Sequence, residues 1–180
     1  MLALDYPDRV LSLVLISTSP ATPGERGLPS PTERFQQFVT SATVDWSDER
    51  SVIEYLVDYA RVLAGGVRPF DEAATHDLVR RDVERAHDIA ASENHGLAAE
   101  GEVSRRSLSS IAVSALVIHG TADPMFPLEH GAALVREIPG ARLLTLEGAG
   151  HGVERADWET TAGAILAHTV PGSRPETRPP

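Results

Sequence analysis

Two short segments carry the residues best suited to chemistry. Residues 119–124 (HGTADP) place Asp123 in a turn, and residues 148–152 (GAGHG) place His151 among glycines. An aspartate and a histidine on loops that meet can share a hydrogen bond. The carboxylate then accepts from one imidazole nitrogen, fixes the tautomer and leaves the other nitrogen as a base. Glycines around His151 permit a sharp turn and a close approach to neighbouring backbone. Each residue also has a plain structural use, because Asp-Pro is ordinary turn chemistry and a loop histidine can be satisfied by backbone groups. Asp123 and His151 are the candidate acid and base.

The elements that would position them are strands. Residues 112–118 (AVSALVI) run directly into the Asp123 segment, and residues 141–146 (ARLLTL) run into the His151 segment. Residues 10–16 (VLSLVLI) form a third run, almost unbroken and rich in β-branched residues, as expected of a parallel strand covered on both faces. Helical patterns separate all three. Leu128, Ala132, Val135 and Ile138 share one face before Pro139-Gly140, and Trp158, Ala162, Ile165, Leu166 and Thr169 share another. Strands alternating with helices imply an α/β sheet of parallel strands, and ligands in such sheets bind beyond the carboxyl ends of the strands.

The stretch of about 90 residues between the first two strands is far longer than one crossover needs and reads as helices only. Ser30 is the expected cap of its first helix, with Pro31 in the first turn and Glu33 closing a capping box. Phe35, Phe38, Val39, Ala42 and Trp46 follow on one face. Ser47 is expected to cap a second helix with the stripe Val52, Ile53, Leu56, Val57, Ala60 and Leu63, stopped by Gly65-Gly66. A third begins at Asp71, carries Leu78, Val83, Ala86 and Ile89, and fades near Asn94-His95-Gly96. The expected division is residues 1–18 and 111–170 as a partial α/β core, 19–110 as a helical cap subdomain, and 171–180 as a Pro-rich disordered tail.

Composition excludes several classes of function. A formal charge of −10 and a pI near 5.1 oppose binding to phosphate backbones, so no nucleic acid partner is expected. No apolar run is long enough to span a bilayer, so no membrane partner is expected. The start, MLALDYPDRV, lacks the features of a signal peptide, which makes the cytoplasm the expected location. The chain has no cysteine, hence no disulfide, thiolate metal site or cysteine nucleophile. His76, His87, His95, His130 and His168 lack metal-ligand spacing, and neither metal nor cofactor is expected.

The Asp123 and His151 segments resemble the acid and histidine loops of α/β-hydrolases, in that family's order of acid before histidine. MLALDYPDRVLSLVLISTSP resembles the end of the helix after the family's nucleophile elbow, followed by its sixth strand. The helical stretch resembles the family's cap, and VERADWETTAGAILAHTV its closing helix. Within the cap, RAHDIAASENHGL is similar to methylesterases acting on polyketide antibiotics. The resemblance implies a partial α/β-hydrolase fold of about three parallel strands, the family's sixth to eighth. It also implies a parent that hydrolyses a small-molecule, ester-like substrate.

The departure from the family is the nucleophile. No GxSxG occurs in the 180 residues, and the early strands and oxyanion-hole loop are equally absent. A chain with acid and histidine but no nucleophile or oxyanion loop is expected to be an inactive C-terminal fragment. The edge of its first strand would be open to a complementing N-terminal half or to self-association. The alternative is a non-catalytic module that binds a small molecule or protein on a hydrolase-derived scaffold.

Overall fold

The computed structural model describes residues 2–20, 27–97 and 106–170. The expected tail and the residues around 98–105 lie outside that set. Three parallel strands, β1 (Ser12–Ile16), β2 (Ser114–Gly120) and β3 (Arg142–Leu146), form one sheet in the order β1-β2-β3. β1 pairs with β2 from Ser12↔Ser114 to Ile16↔Ile118, and β2 with β3 from Leu116↔Arg142 to Gly120↔Leu146. The expected fold class holds. The second strand reaches further than its apolar run, because His119 and Gly120 continue the ladder opposite Thr145 and Leu146.

Helices cover both faces. On one, Leu4 of the short α1 (Leu2–Asp5) and Leu134 and Ile138 at α5 (Glu129–Glu137) pack on Ala115 and Val117. On the other, Ala164 and Ile165 of α6 (Trp158–Thr169) pack on Leu116, Ile118 and Leu146. Alternation along β2 thus feeds two small cores, and its inner residues are all buried. β1 is covered less well than its sequence suggests. All but one of its residues are half-buried, the last is exposed, and Leu11 just before it is 86% exposed. The reason is position. β1 is an edge strand among the described residues, and an open apolar groove of about 770 Å³ runs beside it, lined by Leu2, Leu4, Leu11, Leu13 and Leu15 among others.

Three helices lie between β1 and β2: α2 (Glu33–Ser41), α3 (Glu49–Leu63) and α4 (Glu72–Arg85). Their caps correct the sequence reading twice. Thr32, not Ser30, caps α2 by accepting from Phe35 N–H, and Asp48, not Ser47, caps α3 by accepting from Arg50 N–H. Ser47 instead donates to Asp45, whose carboxyl is held below its ordinary range chiefly by that hydrogen bond. α2 stops at Ser41, so Ala42 and Trp46 lie beyond it. α4 starts one residue after the expected Asp71, which serves as its cap, but it ends at Arg85 and a 3-10 helix over Ile89–Leu97 follows.

The buried faces of α5 and α6 are rotated from those expected. α5 buries His130, Gly131, Ala133 and Leu134, leaving Leu128, Ala132 and Val135 half-buried. α6 buries Thr161 and His168, while Trp158 and Leu166 are 59% and 66% exposed. α6 (WETTAGAILAHT) does not segregate its apolar from its polar residues, so spacing alone does not select a face. A polar contact selects it: His168 Nε2 donates to Leu13 O at 2.9 Å, anchoring the helix to β1.

Candidate active site

Asp123 sits three residues beyond β2, 3% exposed, in a turn that its own carboxylate organises. Oδ1 accepts from the amides of Met125 and Phe126 at 2.9 Å each. Oδ2 accepts from His151 Nδ1 at 2.9 Å. The pairing expected from sequence is therefore present in the geometry. A proton on Nδ1 leaves Nε2 of neutral His151 as the bare nitrogen, and Nε2 bonds to none of the described residues. The His151 side chain is 24% exposed, with the Phe126 ring 5.6 Å from its own.

The two loops meet because backbone bonds and glycines allow it. Thr121 N–H donates to Leu146 O and Ala122 N–H to Ala149 O, while Gly148 N–H donates to Thr121 Oγ1. A Cβ on Gly120 would overlap the carbonyl oxygens of Ala149 and Gly150, so only glycine lets the Asp123 loop lie so close to the His151 loop. The end of α3 enters the same junction. Leu63 O accepts His151 N–H at 2.8 Å, and a Cβ on Gly150 would overlap that oxygen.

Arg68, between α3 and α4, clamps the His151 loop from outside. It donates to both carboxyl oxygens of the buried Asp157, at 2.6 and 3.1 Å, and to Glu147 O. The hydrogen bond to Asp157 first, and then the charges of Asp157 and Glu154, raise its pKa further above the ordinary arginine value against the cost of burial. Thr32 N–H, at the start of α2, donates to Pro124 O beside Asp123. From that point a ladder of rings runs outward along α2 and α3. Phe35 faces Tyr59 at 6.4 Å, Phe38 stacks on Tyr59 and Tyr55 at 5.7 Å, and Trp46 meets Tyr55 edge-on at 5.9 Å.

A model described as TAP-like protein matches residues 92–177. Rhodomycin D methylesterase of Streptomyces peucetius is 30% identical over 94% of this chain and 62% of its own length. Its counterpart from Streptomyces sp. (strain C5) is 29% identical over the same shares. By these matches and its three parallel strands the chain has a partial α/β-hydrolase fold. The same fold appears in a meta-cleavage product hydrolase from Pseudomonas fluorescens IP01, with a TM-score of 0.64 at 19% identity over 92% of this chain and 58% of that one. It appears again in an esterase from Exiguobacterium antarcticum, with a TM-score of 0.63 at 19% identity over 92% and 59%. The chain thus spans about 62% of the length of the curated relatives it matches.

Sequence reasoning missed several residues that shape the site. Arg68 and Leu63 O give no local signal, because each acts on a loop far away in the chain, and Phe126 holds the Asp123 turn through backbone groups that any residue but proline carries. The His119 ring, noted only as part of a motif, lies 3.5 Å from Asp123. Among the described residues, no His, Asp and Glu side chains gather as a metal site would require, and no helix is long and apolar enough to cross a membrane.

Proposed function

We propose that this chain supplies the acid–base half of an ester-hydrolysing site whose nucleophile and oxyanion donors lie on polypeptide outside this sequence. The observation that carries the reading is the Asp123–His151 hydrogen bond at the carboxyl ends of β2 and β3, with Nε2 bonded to no described hydroxyl. In a completed site Nε2 takes the proton of an attacking hydroxyl as that oxygen bonds to the ester carbonyl. It then returns the proton to the departing alcohol. Asp123 holds the required tautomer and stabilises the imidazolium in between. The substrate class is a carboxylic ester carried by a small molecule, and the relatives named as methylesterases favour a methyl ester. The open edge of β1, with its apolar groove, is where a complementing segment would dock.

Hydrolysis of a p-nitrophenyl ester series by the chain, against a His151→Ala control, tests this directly. No turnover that depends on His151 is expected from folded chain. Turnover abolished by the substitution would mean that the chain holds its own nucleophile, and the proposal would fall.

A second reading, a non-catalytic binding module, draws on the ring ladder of Phe35, Phe38, Tyr55, Tyr59 and Trp46. Such a ladder begins beside the Asp123 turn and offers flat apolar surface to an aromatic ligand. Saturable quenching of tryptophan fluorescence by an aromatic ester, unchanged in His151→Ala and lost in Tyr55→Ala, would favour it.

A further inference from the structure

Asp123 lies between two histidines, and the proposed chemistry uses only one. His119, the last residue but one of β2, is wholly buried. Its Nε2 donates to Phe126 O at 2.7 Å and stands 3.5 Å from Asp123 Oδ2. Because a carbonyl can only accept, the proton is on Nε2. Nδ1 then has no hydrogen, and it is buried without a partner among the described residues. A polar ring with an unsatisfied nitrogen is a costly way to fill space that Val117 and Ile118 show to be apolar on either face. What the ring provides is one N–H aimed at the turn that carries the acid.

That turn is held from two sides through one residue. Phe126 N–H is bonded to Asp123 Oδ1 at 2.9 Å, and Phe126 O is bonded to His119. At 3.5 Å the same N–H is too far for a second strong bond to Oδ2, yet near enough to bias the rotation of the carboxylate. Oδ2 is the oxygen that meets His151. We infer that His119 is a positioning residue: it locks the 123–126 turn through Phe126 O and sets the Asp123 carboxylate so that His151 carries its proton on Nδ1. The inference rests on Asp123 and His151 acting as a pair. It adds a third residue, which touches no substrate and acts through the other two.

Long-range proton–nitrogen NMR of the histidine side chains tests it without any turnover. The unsubstituted chain should show His151 as the Nδ1–H tautomer. If it does not, the Asp123–His151 pair itself fails, and the role of His119 with it. In His119→Leu the Nε2–H tautomer of His151 should rise from a minor form to about half. Amide exchange at Met125 and Phe126 should quicken about tenfold relative to Val117 and Ile118. His119→Gln, whose side-chain amide nitrogen reaches the place of Nε2, should restore both. A folded His119→Leu with a lower melting temperature, but with the His151 tautomer and both amides unchanged, would show a packing role only and overturn the inference. Should His119→Leu not fold, Gly131→Ala places a methyl group 2.9 Å from the His119 ring. A displaced His119 signal with an unmoved His151 tautomer there would overturn it equally.

Discussion

At the scale of the residue, Asp123 is a structural knot as well as the partner of His151. Its carboxylate is buried and accepts from Met125, Phe126 and His151, so removal leaves two amide donors without acceptors. Asp123→Ala is expected to lower unfolding stability by about 2–3 kcal/mol, read from urea denaturation. Asp123→Asn keeps one acceptor and should cost less, while placing an N–H₂ group against His151 in one of its two orientations. Such residues are legible in sequence because their types, glycine neighbours and places after apolar runs point the same way. Arg68 is not legible. Its partners Glu147 and Asp157 are 79 and 89 residues away, and an arginine after a helix stop reads as a solvated side chain.

At the scale of the element, α3 and α4 are joined by an ion pair whose strength depends on pH. Arg61 donates to Glu72 at 3.0 Å. That hydrogen bond first, and the charge of Arg61 second, hold the Glu72 carboxyl below its ordinary value of 4.5. A carboxyl depressed in the folded state adds stability above its unfolded value and loses that stability as pH falls through the folded one. Glu72→Gln should therefore be less stable than the unsubstituted chain at pH 7, with the gap closing below pH 4.5. Thermal unfolding of both chains across that range measures it, and a gap independent of pH would rule the pair out as its source. The α3 stripe was readable because Val52, Ile53 and Val57 repeat at helical spacing and are buried. The faces of α5 and α6 were not, because buried polar groups, His130 to Pro29 O and His168 to Leu13 O, orient those helices as much as apolar spacing does.

At the scale of the whole molecule, the sheet is closed on one side of β1 and open on the other. Ser17 N–H bonds to Ile118 O. By alternation the backbone groups of Leu13 and Leu15 also face β2, while those of Ser12, Val14 and Ile16 face outward. Such an edge, beside an apolar groove, pairs with whatever strand is available. The chain is expected to associate as its concentration rises, and Val14→Pro, which removes an outward N–H and no bond to β2, should abolish that. Analytical ultracentrifugation of the two chains, with circular dichroism to confirm equal folding, measures the difference. The three strands and the helices between the first two were legible from apolar runs and helical spacing, whereas the weak cover on β1 was not, since its sequence is that of a central strand. The junction at Leu63 has a mechanical consequence of another kind. Because the carbonyl that ends α3 is bonded to the backbone of His151, and Arg68 grips the residues on either side of that loop, a displacement of the end of α3 pulls on the His151 loop and so on its hydrogen bond to Asp123.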